Sequence, residues 1–189
     1  YHIPRDSDVY APMLTFAFGL EENTRLHRPV IHKYPYYTDQ KKVLISGWGP
    51  RHSHIWIYES DAPIETTFSN DNGQWQALIT LQKELNRIKA RADYRHGKKN
   101  SDFSKAVQIV YDNQIPSYTI TARVKNSDLY LTVNPSEMLA EDPVIKVGDD
   151  ITSLPFISNA HSGKFSDISH MDKITVQLTD LAGNQSTDI

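Results

Sequence analysis

Apolar and polar residues alternate with a period of two along most of this chain. The run Lys42-Val43-Leu44-Ile45-Ser46-Gly47-Trp48 shows it, and so does Ser53-His54-Ile55-Trp56-Ile57-Tyr58-Glu59. Successive side chains of a strand point to opposite faces, so such alternation predicts strands with one buried face. Strands are expected over 30–34, 42–48, 53–59, 64–68, 74–78, 86–92 and 103–111. A further set is expected over 118–124, 128–134, 144–147, 164–168 and 173–179, with a short one at 154–156. Gly49-Pro50, Asp61-Ala62-Pro63, Asn70-Asp71-Asn72-Gly73 and His96-Gly97 punctuate the first set. Asn72-Gly73 is a strong hairpin signal, because both residues tolerate positive φ. Short strands with regular turn signals describe an all-β sandwich. A helix competes over 77–92, which is rich in Leu, Gln, Lys, Glu and Arg.

A repeat argues against that helix. Ile88-Lys89-Ala90-Arg91-Ala92 followed by Gly97 stands 86 positions before Ile174-Thr175-Val176-Gln177-Leu178 followed by Gly183. Thr175, Val176 and Thr179 make the later copy a β-type run. Val43 and Ile45 precede Leu129 and Leu131 by the same 86, while Gly73-Gln74-Trp75 precedes Gly163-Lys164-Phe165 by 90. Self-similarity at a fixed offset is the signature of tandem copies. The chain therefore divides into an N-terminal segment, 1–28, a first domain, 29–113, and a second, 114–189. A short polar linker ending in Pro116 joins the copies and limits their swing. The first copy runs past Gly97 into the 103–111 strand. The second stops at Ile189, just after its matching turn, so its final strand is expected to be missing from this chain. Met13-Leu14-Thr15-Phe16-Ala17-Phe18 reads as a strand closing a preceding module.

Composition narrows the class. The net charge is −3 over 189 residues, which carries no nucleic-acid footprint. The basic cluster between Arg87 and Lys99 is interrupted by Asp93 and reads as a solvated strand and turn. Cysteine is absent, which excludes thiol catalysis and thiolate metal sites and leans toward a bacterial or archaeal source. No apolar run is long enough to span a membrane as a helix. The chain opens at Tyr1 without an initiating Met, and a piece of a longer polypeptide is expected.

Gly73-Gln74-Trp75, Leu85-Asn86-Arg87-Ile88, the Asp93-to-Gly97 turn and Thr179-Asp180-Leu181-Ala182-Gly183-Asn184-Gln185-Ser186 together resemble the bacterial immunoglobulin-like modules of large secreted proteins. The resemblance spans most of residues 29–189 and departs at Leu85 and at His96-Gly97-Lys98, where the family has Gly and an Ala-Gly-Asn turn. It implies two tandem immunoglobulin-like sandwiches, in a secreted or surface-attached bacterial protein. Related modules flank the catalytic units of extracellular glycosidases and subtilisin-like proteases. Trp75 and Phe165 would be inward anchors, Gly97 and Gly183 turn formers, and Asp180 and Asn184 would bond nearby backbone.

Catalytic signatures are missing. There is no Gly-x-Ser-x-Gly elbow, His-Glu-x-x-His pair or phosphate loop in the sequence. Adjacent acids such as Glu141-Asp142 read as solvated. One local feature stands out: strand geometry would put His52, His54, Trp56 and Tyr58 on one face. That face is either covered by structure, a metal site with His96 as third ligand, or a platform on which Trp56 and Tyr58 stack against a glycan or protein. Tyr34, Tyr36 and Tyr37 could extend it. Calcium is the other candidate ion, with oxygens at Asp71, Asp112, Asp149 and Asp150. No other cofactor is expected. The expected role is non-catalytic: a spacer or protein-binding region working beside other domains of one polypeptide. The alternative is a substrate-binding accessory region of an extracellular hydrolase.

Overall fold

Among the described residues every regular element is a strand and none is a helix. The structure, a computed structural model, describes residues 26–94, 99–157, 160–166 and 173–188. The expected strand at 13–18 and the turn at Gly97 lie outside these residues.

The first half holds β1 (Val30–Lys33), β2 (Tyr37–Thr38), β3 (Lys42–Trp48), β4 (His54–Glu59), β5 (Ala62–Phe68), β6 (Gln74–Thr80), β7 (Leu85–Tyr94), β8 (Lys99–Asn100) and β9 (Val107–Tyr111). They form one sheet in the order β1-β3-β6 and another in the order β2-β9-β7-β4-β5, with β8 on the end of β7. Alternation works as the sequence predicts. Ile45, Trp75 and Ile79 of the first sheet meet Ile55, Ile57, Ile88 and Ile109 of the second in one buried cluster. The competing helix over 77–92 is absent, replaced by β6, a corner and β7. Asn86 fixes that corner: its side-chain oxygen accepts from the Gln82 N–H at 3.1 Å and its amide donates to the Lys83 carbonyl at 2.6 Å. A buried amide with its groups paired is a stable corner piece.

The long strand expected over 103–111 is broken. Residues 101–106 leave the ladder, and serine hydroxyls substitute for the missing backbone acceptors. Ser101 Oγ accepts from the Ala92 N–H and Ser104 Oγ from the Ala90 N–H, each at 2.9 Å. Such side-chain bonds compete with strand pairing and satisfy buried donors at low cost.

The second half holds β10 (Tyr118–Lys125), β11 (Asp128–Pro135), β12 (Val144–Val147), β13 (Asp150–Ser153), β14 (Phe156–Ile157), β15 (Ala160–Phe165), β16 (Ile174–Thr179) and β17 (Gln185–Asp188). Its sheets run β10-β11-β15-β14 and β13-β12-β16-β17. Leu129, Leu131, Val133 and Phe165 of one meet Ile145, Val147, Val176 and Leu178 of the other in a separate cluster. The order β1-β3-β6 is thus matched by β10-β11-β15, and β9-β7-β4-β5 by β17-β16-β12-β13. Expected anchors Trp75 and Phe165 are both buried, on matched strands.

The expectation of no final strand after Gly183 needs correcting. β17 pairs with β16 from Thr179↔Gln185 to Val176↔Asp188. Residues 184–188 carry no apolar alternation and so read as loop, yet pairing needs only backbone groups. The repeated glycine also plays two roles. Gly73 sits in a turn at φ 79°, whereas Gly163 lies inside β15, where a Cβ would strike Leu154. β10 is exposed along nearly its whole length, although Ile120, Ala122 and Val124 pair with the core residues Val133, Leu131 and Leu129.

Candidate functional site

On β4 the alternation is as expected: Ile55 and Ile57 enter the core, while His54, Trp56 and Tyr58 face outward, half-buried. His52 leaves that face. It precedes the strand in a left-handed turn at φ 53°, and its ring nitrogen stands 3.5 Å from the Asp71 carboxylate, both side chains exposed. The expected row of four residues is therefore three, because the turn at residues 51–52 breaks the strand pattern. The third histidine ligand, His96, lies outside the described residues.

The outward row is packed against its own neighbours. Phe68, opposite His54 on β5, meets its ring edge-on with centroids 3.8 Å apart. The break in 101–106 turns Phe103 outward onto Tyr58, 5.0 Å away and edge-on. The Lys89 ammonium lies 4.5 Å from the Phe103 centroid and the Arg91 guanidinium 5.5 Å. Lys89 also bonds Asp61 at 2.9 Å, which lowers the Asp61 carboxyl below its usual range. These are edge-to-face and cation–π pairs within the chain, so Tyr58 is already occupied. Tyr34 packs on the first core, while Tyr36 and Tyr37 pair edge-on at 4.8 Å and remain exposed.

The four acidic residues named from sequence do not converge. Asp71 pairs with His52, and Asp149, in the turn after β12, and Asp150, the first residue of β13, are both exposed. Asp112 alone joins a group, with Glu137 and Asp180, whose carboxylate oxygens lie within 4.8 Å of one another. Burial raises the Glu137 carboxyl above its usual range, and repulsion from Asp112 and Asp180 adds to it. Calcium takes six to eight oxygens. Asp180 is poorly free to give one: its Oδ1 accepts from the Ala182 and Asn184 N–H groups at 2.8 and 2.9 Å, and its Oδ2 from the Asn184 amide at 2.8 Å. The expected role of Asp180 in its turn is met, and the trio falls short of a calcium shell.

Asn184 does more than the sequence suggests. Its amide also donates to the Asp112 carbonyl at 2.9 Å, 72 residues away. That bond runs from the turn before β17 to the segment just after β9. The linker is tied down from the far half.

A feature the sequence does not reveal lies beside β3 and β6. A cleft of about 580 Å³ is bordered by the rings of His32, Trp48 and Phe68 and by Ser46, Asn70, Gln74 and Gln76. Trp48 and Phe68 are 45 and 63% exposed. The His32 and Trp48 rings lie 6.1 Å apart at 31°. Asn70 holds Gln74 twice, accepting its backbone N–H at 2.9 Å and donating to its side-chain oxygen at 3.2 Å. Gly47 and Trp75 also line the cleft, where a Cβ on Gly47 would collide with the Trp75 ring and the Val30 carbonyl. In the sequence Trp48 ends an ordinary strand pattern; only pairing with β1 and β6 shows that its ring stands among amides.

A second cleft of about 710 Å³ is walled by Glu137, Glu141, Asp142, Met138 and Phe156. Buried His161 faces it, with Nδ1 2.9 Å from the Leu154 carbonyl and 3.2 Å from Asp142. No helix of the described residues is long and apolar enough to cross a membrane. No protein family model matches this chain, and no curated protein matches it significantly.

Proposed function

We propose that this region is a non-catalytic spacer of two consecutive immunoglobulin-like sandwiches, of the type found in secreted or surface-attached bacterial proteins. Two separate cores with matched strand orders support the tandem reading. The observation that carries the spacer role is the joint: Asn184 of one half bonds the Asp112 carbonyl of the linker. A linker of half a dozen residues, stiffened by Pro116 and pinned by a side chain, holds two modules at a set angle. A mobile string of beads would need neither. Small-angle scattering tests it. The wild-type profile should fit one fixed arrangement, and Asn184→Ala should require an ensemble with a broader size distribution. An ensemble already needed for the wild type would remove the spacer reading.

The cleft beside β3 favours a second reading, an accessory region that holds substrate for a hydrolase elsewhere in the same polypeptide. Sandwich folds host many functions, so the site has to carry that argument.

A further inference from the structure

We infer that the cleft bordered by Trp48, Phe68, Gln74 and Gln76 binds an uncharged polysaccharide. The inference supplies the ligand class for the accessory reading and leaves the spacer reading untouched, since scattering decides that one alone.

The chemistry of the lining selects the ligand. Two large rings stand 45 and 63% exposed at one place, where folding alone would favour covering them. Their carbon faces suit the C–H faces of a sugar ring, which meet an aromatic π-surface favourably. Around them stand Asn70, Gln74 and Gln76 amides and the Ser46 hydroxyl. An amide offers both donors and an acceptor, the same pairing that a sugar hydroxyl offers in return. Apart from His32, no lining residue is ionisable: Asp, Glu, Lys and Arg are all missing from the border. A site for an acidic polymer would place cations there, and nucleic acid would demand them. Aromatic walls with a few placed polar groups are the general make-up of a small-molecule site.

The site is also pre-positioned. Ser46, Trp48, Gln74 and Gln76 all stand on paired strands, with Trp48 opposite Gln74 and Ser46 opposite Gln76. Asn70 holds Gln74 from the turn below. Little ordering remains for a ligand to impose, which lowers the cost of binding. The second half keeps the matching core but not this surface. By the 86-residue offset Asn134 takes the position of Trp48, and by strand pairing Ser162, opposite Thr132, takes that of Gln76, opposite Ser46. Shared core positions and unshared cleft positions separate what builds the sandwich from what binds.

Affinity electrophoresis of the full chain tests this in gels carrying hydroxyethylcellulose, galactomannan or soluble starch, with alginate as the anionic comparison. An array of uncharged oligosaccharides covers finer structure. Retardation by at least one uncharged polymer is expected, with none by alginate. Trp48→Ala should weaken that binding tenfold or more, and Gln76→Ala should weaken it severalfold. Trp56→Ala should leave it unchanged. Gln76 is exposed and its replacement keeps the fold, so the test survives if Trp48→Ala unfolds. Three results would overturn the inference: no binding to any uncharged glycan, binding to alginate alone, or glycan binding that neither Trp48→Ala nor Gln76→Ala reduces.

Discussion

Trp75 fills the first core as the sequence suggests, yet it carries a flaw that no sequence pattern reveals. Its indole N–H is buried and lacks a hydrogen-bond partner among the described residues. An unpaired buried donor costs about 1–3 kcal/mol. In the second half the matching register position, opposite Val133 as Trp75 is opposite Gly47, holds His161, whose ring nitrogen does have a partner, the Leu154 carbonyl at 2.9 Å. Trp75→Phe should therefore cost less than about 1 kcal/mol in chemical denaturation, while Trp75→Ala should cost about 3–5 kcal/mol through the cavity it leaves. Equal losses in the two variants would mean that the N–H has a partner after all. Glu137 is the other strained residue. Its carboxyl is raised in the folded chain from an ordinary 4.5, so folding favours the protonated form. The folded state then binds more protons than the unfolded one between that value and the raised one, and stability falls as pH rises through this window. Glu137→Gln should raise the melting temperature at pH 7 and lose that advantage below about pH 4.5. An advantage that persists at pH 3 would point to packing rather than charge.

At the scale of elements, the fold is legible in the sequence wherever one face is core. Alternation locates β3, β4, β6, β7, β11 and β12 to within a residue or two at most ends, because an apolar side chain at every second position has only one way to be buried. It fails where backbone bonding alone decides. β17 is a polar edge strand, β13 follows a Gly148-Asp149 turn and is exposed throughout, and β8 is two residues long. The 101–106 break is hidden for a related reason. Serines at 101 and 104 look like ordinary polar positions, and nothing local shows that their hydroxyls replace ladder bonds. The site is harder still. Strand geometry selects His52, His54, Trp56 and Tyr58, but the turn removes His52 and cross-strand neighbours occupy Tyr58. The Trp48 cleft needs β1, β3, β5 and β6 assembled side by side, information that no single strand contains.

Across the whole molecule, the two cores share strand order and no buried apolar residue. All three tryptophans lie in the first half, as Trp48, Trp56 and Trp75. Indole fluorescence therefore reports the first core alone, while far-ultraviolet circular dichroism reports both. Two cooperative units should unfold separately under denaturant. The fluorescence transition should be single, the dichroism transition broader or double, and Leu131→Ala should shift only the component that fluorescence does not see. Coincident curves in wild type and variant alike would make the chain one cooperative unit.

The short β2–β9 pairing, the parallel contact of the first half, gives that half a mechanical character. Tyr37 and Thr38 lie alongside Val110 and Tyr111, bridged by the Val110 N–H to the Tyr36 carbonyl at 2.7 Å and the Asp112 N–H to the Thr38 carbonyl at 3.0 Å. The chain reaches β2 by way of β1, which is held on β3, and leaves from the end of β9. A pull on the two ends drags them in opposite directions along their length, so the bonds are loaded together in shear and must fail together. Antiparallel neighbours pulled open from one end would instead unzip bond by bond. The two-residue strand that alternation does not mark is thus the clasp that takes the load once β1 has been drawn off β3.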